Sequence, residues 1–160
     1  MGRRAIQIIA AVAAALALAA PAAATVRAPG IEKRGLAAMA RTFTWPAAGT
    51  ITTPFTHWHD GIDIAMLHSL TIIAAADGKV EHVGYAPGYS GYGNVVVIAV
   101  APHVEAIYAH LSSYYVHAGQ RVRTGQSLGV AGCTGICTGT HLHFEMRVNG
   151  VAVDPRYFLR

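Results

Sequence analysis

From Thr42 onward the chain predicts an all-β domain with antiparallel pairing, and three observations carry that expectation. Short apolar segments rich in Val, Ile and Tyr are punctuated by Gly, Pro, Asn and Asp, the pattern of many short strands. No long helical period follows residue 42. Asp77-Gly78 and Asn149-Gly150 read as hairpin-turn dipeptides, because positive φ is easy for Gly and tolerable for Asn or Asp.

In chain order the expected strands are Thr50–Thr53, Gly61–Ala65, Thr71–Ala75 and Gly78–Tyr85. Asn94–Val100, Glu105–His110, Ser127–Val130 and Leu142–Val148 follow. Between the fourth and fifth lies Pro87-Gly88-Tyr89-Ser90-Gly91-Tyr92-Gly93, which has three glycines and no continuous apolar run. It reads as a loop.

The first residues read differently. Arg3 and Arg4 precede an apolar stretch, Ala5 to Ala20, whose only polar residue is Gln7. Pro21 breaks it, and Ala22-Ala23-Ala24 offers a small-residue cleavage site, so residues 1–24 are expected to be a secretory signal peptide. The alternative is an uncleaved anchor, although the run is short against the ~20 residues a span needs. Residues 25–41 read as a linker or arm, with Arg34–Arg41 capable of two helical turns. Residues 42–160 form the domain.

A chain of 160 residues is one domain's worth. Charged residues make up only 12%, which excludes a disordered acidic or basic protein. Cleavage after Ala24 would remove two arginines and no acid, lowering the formal charge of +4 by two. With no run of Lys or Arg after residue 34, nothing points to nucleic acid. Cys133 and Cys137 are the only cysteines. Outside the cytoplasm they can pair, with two free thiols as the alternative. Two cysteines cannot alone make a closed structural zinc site.

Nine histidines all lie between residues 57 and 143. His68, His82, His103 and His117 sit in no recognisable constellation and are expected to be ordinary. In His59-Asp60-Gly61-Ile62-Asp63, an even offset in extended chain places His59 and Asp63 on one face, and both are good zinc ligands. Gly61 between them lets the backbone come close to a neighbour. In His141-Leu142-His143-Phe144-Glu145, alternation places His141, His143 and Glu145 on one face, toward a cleft or solvent, with Leu142 and Phe144 toward a core. Tyr108 and His110 are expected to share a strand face. Two histidines and a carboxylate, with one position left to water, have the make-up of a catalytic zinc site. His110 and His141 would then be left as base and oxyanion stabiliser.

These residues resemble the lysostaphin-type zinc endopeptidases that cut peptide cross-links in bacterial peptidoglycan. The matching text is His59-Asp60-Gly61-Ile62-Asp63-Ile64-Ala65, Gly91-Tyr92-Gly93-Asn94 and Tyr108-Ala109-His110-Leu111. It continues through Gly125-Gln126-Ser127-Leu128-Gly129 and Thr138-Gly139-Thr140-His141-Leu142-His143-Phe144-Glu145 to Val153-Asp154-Pro155 and Tyr157-Phe158-Leu159. The resemblance implies a compact antiparallel β domain of the duplicated-hybrid-motif kind, with a long groove and a metal on its floor. It implies Zn2+ held by His59, Asp63 and His143, with His141 as general base helped by His110. His57-Trp58-His59 is also an HxH, so His57 could replace His59 or add a ligand. The resemblance favours His59, which alone has Gly and Asp at the right offsets. Thr140 stands where the family leads one to expect proline. A Cys133–Cys137 bridge would staple the loop before His141. The expected product is an exported monomer in the periplasm or outside the cell. It would act on peptidoglycan cross-link peptides, bind no nucleic acid and, after cleavage, not be inserted in a membrane. The alternative is a non-enzymatic envelope regulator of other cell-wall hydrolases.

Overall fold

The computed structural model describes residues 37–40 and 42–160. The expected signal peptide, residues 1–24, and nearly all of the arm lie outside the described residues. Of the expected helix at 34–41, residues 37–39 form a helical turn. Among the described residues no helix is long and apolar enough to cross a membrane.

Among the described residues, ten strands make one antiparallel sheet. They are β1 (Thr50–Thr53), β2 (Ile62–Ala65), β3 (Thr71–Ile73), β4 (Gly78–Gly84), β5 (Asn94–Ala101), β6 (Val104–Tyr114), β7 (Arg121–Val122), β8 (Ser127–Ala131), β9 (Leu142–Val148) and β10 (Val151–Val153). The order is β1-β2-β9-β6-β5-β4-β7, with β10 on β9 and with β8 joining β3 to β6. All eight expected strands are present, most within one or two residues of the expected bounds. The sixth runs further, to Tyr114, because beyond a bulge it leaves β9 and pairs with β8. β7 and β10 were not expected: two- and three-residue strands carry too little pattern to read.

Asn149-Gly150 is a hairpin turn, with φ of 54° and 76° between Val148 and its partner Val151. Asp77-Gly78 is not. β3 pairs with β8 while β4 pairs with β5 and β7, so the chain crosses here instead of folding back. The Asp77 carboxylate accepts bonds from the Thr124 backbone N–H and hydroxyl at 2.7 and 2.8 Å, which ties the crossing to the loop before β8. A local dipeptide could not reveal that distant partner.

The central strands β5, β6 and β9 are covered on both faces. One face carries the main core, including Val96, Ile98, Ala106, Tyr108, Leu142, Phe144 and Met146. The other carries a smaller cluster of Val95, Val97, Ile107 and Ala109, against which Tyr89 and Tyr92 pack. Burial on both faces explains the nearly unbroken apolar run of β5, where a half-exposed strand would alternate. Phe43, entering the domain, bridges Leu159 and packs its ring 5.6 Å from that of Phe158, so the two ends of the domain close on the same core. The site lies on the second, thinner side.

Candidate active site

β2 and β9 pair so that Asp63 stands directly opposite His143. Opposed residues on adjacent strands hold their Cβ atoms about 5 Å apart on the same face. Asp63 Oδ1 is therefore 2.8 Å from His143 Nδ1. His59 arrives by another route than the shared strand face expected of it. Thr56 and His59 exchange backbone bonds at 3.0 and 3.2 Å around a tight turn with His57 and Trp58 at its tip. That turn brings His59 Nε2 to 3.2 Å from Asp63 Oδ1 and 3.1 Å from His143 Nδ1. His57 is exposed, its ring tilted against that of Trp58 with centroids 4.3 Å apart, and Trp58 is 87% exposed, so neither faces the cluster. Gly61 permits the approach: a Cβ there would lie 2.5 Å from the Phe144 carbonyl oxygen and 3.0 Å from the His143 ring.

His59, Asp63 and His143 are the group of His, Cys, Asp or Glu residues that could hold a metal ion among the described residues. Ligand atoms 2.0–2.2 Å from a tetrahedral ion lie roughly 3.3–3.6 Å apart. The three donor atoms, 3.2, 3.1 and 2.8 Å apart, are somewhat closer together than that spacing. The ring nitrogens facing away are also committed. His59 Nδ1 lies 3.1 Å from the Pro54 carbonyl, and His143 Nε2 lies 2.9 Å from Glu145 Oε1. Carbonyl and carboxylate oxygens accept, so those nitrogens carry the protons. Each neutral ring then turns a lone pair into the cluster, as a metal ligand must.

Glu145 does not face a cleft or solvent as expected from strand alternation. Its side is right, but that side of β9 is covered, and Glu145 is 0% exposed. It is fully partnered: Tyr92 Oη donates to Oε1, His143 Nε2 donates to Oε1, and Arg147 Nε donates to Oε2 at 2.8 Å. Arg147 in turn lies over the Tyr89 ring at 5.2 Å. Burial alone would raise the Glu145 pKa, but the bonds from His143 and Tyr92 and the Arg147 charge hold it low. His143 sits between two carboxylates. Burial opposes its charge, but bonds to Asp63 and Glu145 win and push its pKa up to about 9. The Asp63 carboxyl is held well below its ordinary range: burial works against this, and bonds from His143 and Thr53 with the charges of His143 and His59 prevail. In the metal-free protein a proton on His143 Nδ1 thus sits between His59 Nε2 and Asp63 Oδ1, where a cation would go.

His110 and His141 complete the wall of the same pocket, about 310 Å³ in volume. Their rings are 4.7 Å apart. Contrary to expectation, Tyr108 and His110 do not share a face. Tyr108 is fully buried in the main core, where its hydroxyl oxygen accepts the Ala75 N–H at 2.8 Å. His110 has φ of 61° where β6 bulges against β5, and this reverses the alternation and turns its ring to the site. His141 precedes β9 and holds only an isolated bridge to Gly132. His110 Nδ1 lies 2.8 Å from the Thr134 carbonyl, and His141 Nδ1 lies 2.7 Å from the Gly139 carbonyl. Both rings therefore keep Nε2 unprotonated when neutral, and His141 Nε2 is 3.7 Å from Asp63 Oδ1. Burial lowers the His110 pKa against the bond to Thr134, and the neighbouring histidines lower it further.

Peptidase family M23 matches residues 57–155 of the chain. The chain belongs to that family. The DD-carboxypeptidase/endopeptidase Mpg of Neisseria meningitidis serogroup B is 44% identical over 97 residues, 61% of this chain and 22% of that protein. The murein hydrolase activator NlpD of Escherichia coli is 37% identical over 121 residues, 74% of this chain and 31% of that protein. Among solved structures, a zinc-containing peptidase of Vibrio cholerae aligns with TM-score 0.66 at 32% identity, covering 73% of this chain and 40% of that one. Lysostaphin from Staphylococcus simulans aligns with TM-score 0.60 at 29% identity, covering 70% and 50%. The matches span roughly a fifth to a third of the length of these curated relatives. The β-rich M23 fold expected from the sequence is the fold observed, and a metal cofactor fits both the family and the donor set.

His68, His103 and His117 are exposed and His82 half-buried, all away from this pocket. Sequence reasoning missed how the three donor residues are held. The role of Glu145 was readable in part from its two-residue offset from His143. The carbonyls of Pro54, Thr134 and Gly139 carry no side-chain signal. Cys133 and Cys137 form a disulfide, with Cα atoms 5.5 Å apart.

Proposed function

We propose that this domain is a zinc metalloendopeptidase that hydrolyses amide bonds in peptidoglycan peptide cross-links, in the periplasm or outside the cell. The observation that carries the reading is three lone-pair donors about 3 Å apart, beside two further histidines whose Nε2 atoms are free for proton transfer, in one pocket. His59 Nε2, Asp63 Oδ1 and His143 Nδ1 would hold the ion. A bound Zn2+ makes water more acidic and polarises a carbonyl. Glu145 keeps His143 in the ligating tautomer, and Pro54 does so for His59. His141 takes a proton at Nε2 from the attacking water and returns it to the leaving amine. His110, whose Nδ1 is committed to the Thr134 carbonyl, presents Nε2 as a second proton acceptor beside His141 and so helps the base.

The similarity to a protein named as a murein hydrolase activator favours a second reading, a non-enzymatic regulator of other wall hydrolases. The complete donor set weighs against it. Digestion of purified peptidoglycan of direct and glycine-bridged types by the zinc-loaded protein separates the two. New peptide ends that vanish with chelator support the endopeptidase and identify its bond. No release from either wall, with zinc bound, overturns it in favour of the regulator.

A further inference from the structure

His141 owes its orientation to a carbonyl on an unusually bare segment. β8 ends at Ala131, Gly132 bridges His141, and the loop between them is exposed apart from half-buried Thr134 and Cys137. Its first half is well anchored. The Thr134 hydroxyl accepts the Asn94 N–H and donates to the Leu111 carbonyl, both at 2.9 Å. Ile136 N–H donates to the Gly91 carbonyl at 2.7 Å. The backbones at Gly93 and Gly135 pass so closely that a Cβ on either would strike the other segment, and both have positive φ.

The second half has none of this. Between Ile136 and His141, among the described residues, no backbone group is hydrogen-bonded to another backbone group. Thr138, Gly139 and Thr140 are exposed. Yet this stretch carries the Gly139 carbonyl that accepts from His141 Nδ1 at 2.7 Å. Besides the peptide chain itself and the Gly132–His141 bridge, the Cys133–Cys137 disulfide ties it to the anchored half and to the end of β8.

We propose that the Cys133–Cys137 disulfide is a positioning element for the reaction: it holds the Gly139 carbonyl against His141 Nδ1 and so keeps Nε2 as the free, proton-accepting nitrogen. The inference rests on the assignment of His141 as the base. Without the bridge, a stretch of Thr and Gly with no buried side chain does not keep one carbonyl at one nitrogen. His110 serves as an internal control, because Thr134 is anchored by its own hydroxyl as well as by the ring.

The test compares the zinc-loaded protein with its Cys133→Ser/Cys137→Ser double variant. Two-bond 1H–15N correlation spectra of histidine-labelled protein read the tautomers, and kinetics on a soluble cross-link peptide give kcat and KM. The expected result is Nδ1–H at both His110 and His141 in the parent. In the variant, His141 becomes a mixture and His110 is unchanged. Zinc content and KM hold, and kcat falls about 10-fold, as for loss of an outer partner. Should the variant fail to fold, reduction of the folded protein with a phosphine, followed by reoxidation, gives the same comparison, and kcat should fall and return. A single Nδ1–H tautomer at His141 with unchanged kcat overturns the proposal. So does loss of zinc in step with kcat, which would make the bridge a general staple. If the parent cleaves nothing, the endopeptidase reading fails, while the tautomer spectra still decide whether the bridge orients His141.

Discussion

Asp63 and His143 face each other across two paired strands, whereas His110 and His141 reach the same pocket from a bulge and an isolated bridge. Sheet hydrogen bonds hold the first pair, and a fully buried carboxylate backs His143. The second pair depends on carbonyls from one exposed loop. Holding a cation needs closely fixed donors; paired strands supply this for Asp63 and His143, and the Thr56–His59 turn supplies it for His59. Proton transfer needs a lone pair aimed at a substrate that must enter and leave, which suits the pocket wall. Under the proposed function, that difference makes metal affinity and turnover separable, and substitutions should divide accordingly.

The largest effect is expected on the strand-held side. His143→Ala should abolish zinc retention and activity together, measured as metal content after dialysis and as peptide release. His59→Ala should behave likewise, whereas His57→Ala should retain metal, since His57 points outward. A His143→Ala protein that still binds zinc and cleaves would break the assignment. On the loop-held side, His110→Ala should keep its metal and lose about 10²–10⁴-fold in kcat, the usual worth of a positioned acid–base group. Parallel loss of metal would erase the distinction between the two halves.

Smaller effects sharpen the comparison. Glu145→Gln should weaken zinc affinity about 10-fold, because the amide cannot replace the charge that backs His143 and pairs with Arg147. Competition with a coloured chelator measures it, and an unchanged affinity would leave Glu145 with packing alone. The last expectation concerns pH. In the metal-free protein His143 titrates near 9, above the ~6.5 of an unfolded histidine. A raised folded pKa stabilises fully below ~6.5 and is lost as pH rises through about 9. Metal-free protein should therefore lose thermal stability across that window. Zinc uptake should release protons there, since the ion and the His143 proton compete for one place. Thermal melts with and without zinc, and proton release on titration, check both. A metal-free melting point flat from pH 6 to 9 would contradict the pairing of His143 with Asp63.

The chain's own text determined a good deal. Strand composition and the Asn149-Gly150 turn made the all-β domain legible, because local pattern and tertiary pairing agree there. The histidines and the aspartate that line the pocket, His59, Asp63, His110, His141 and His143, were all named from motifs, because cation and proton chemistry draws on few residue types. The tertiary structure decided how those residues are oriented. The Asp77-Gly78 dipeptide became a crossing because the partner of β3 is β8. His110 turned to the site through a positive φ that alternation cannot foresee. Glu145 was buried because the far face of β9 is covered. Backbone carbonyls at Pro54, Thr134 and Gly139 chose the tautomers. Every residue has such a carbonyl, so no sequence marks the ones that matter. Only the path of the folded chain brings them to a histidine.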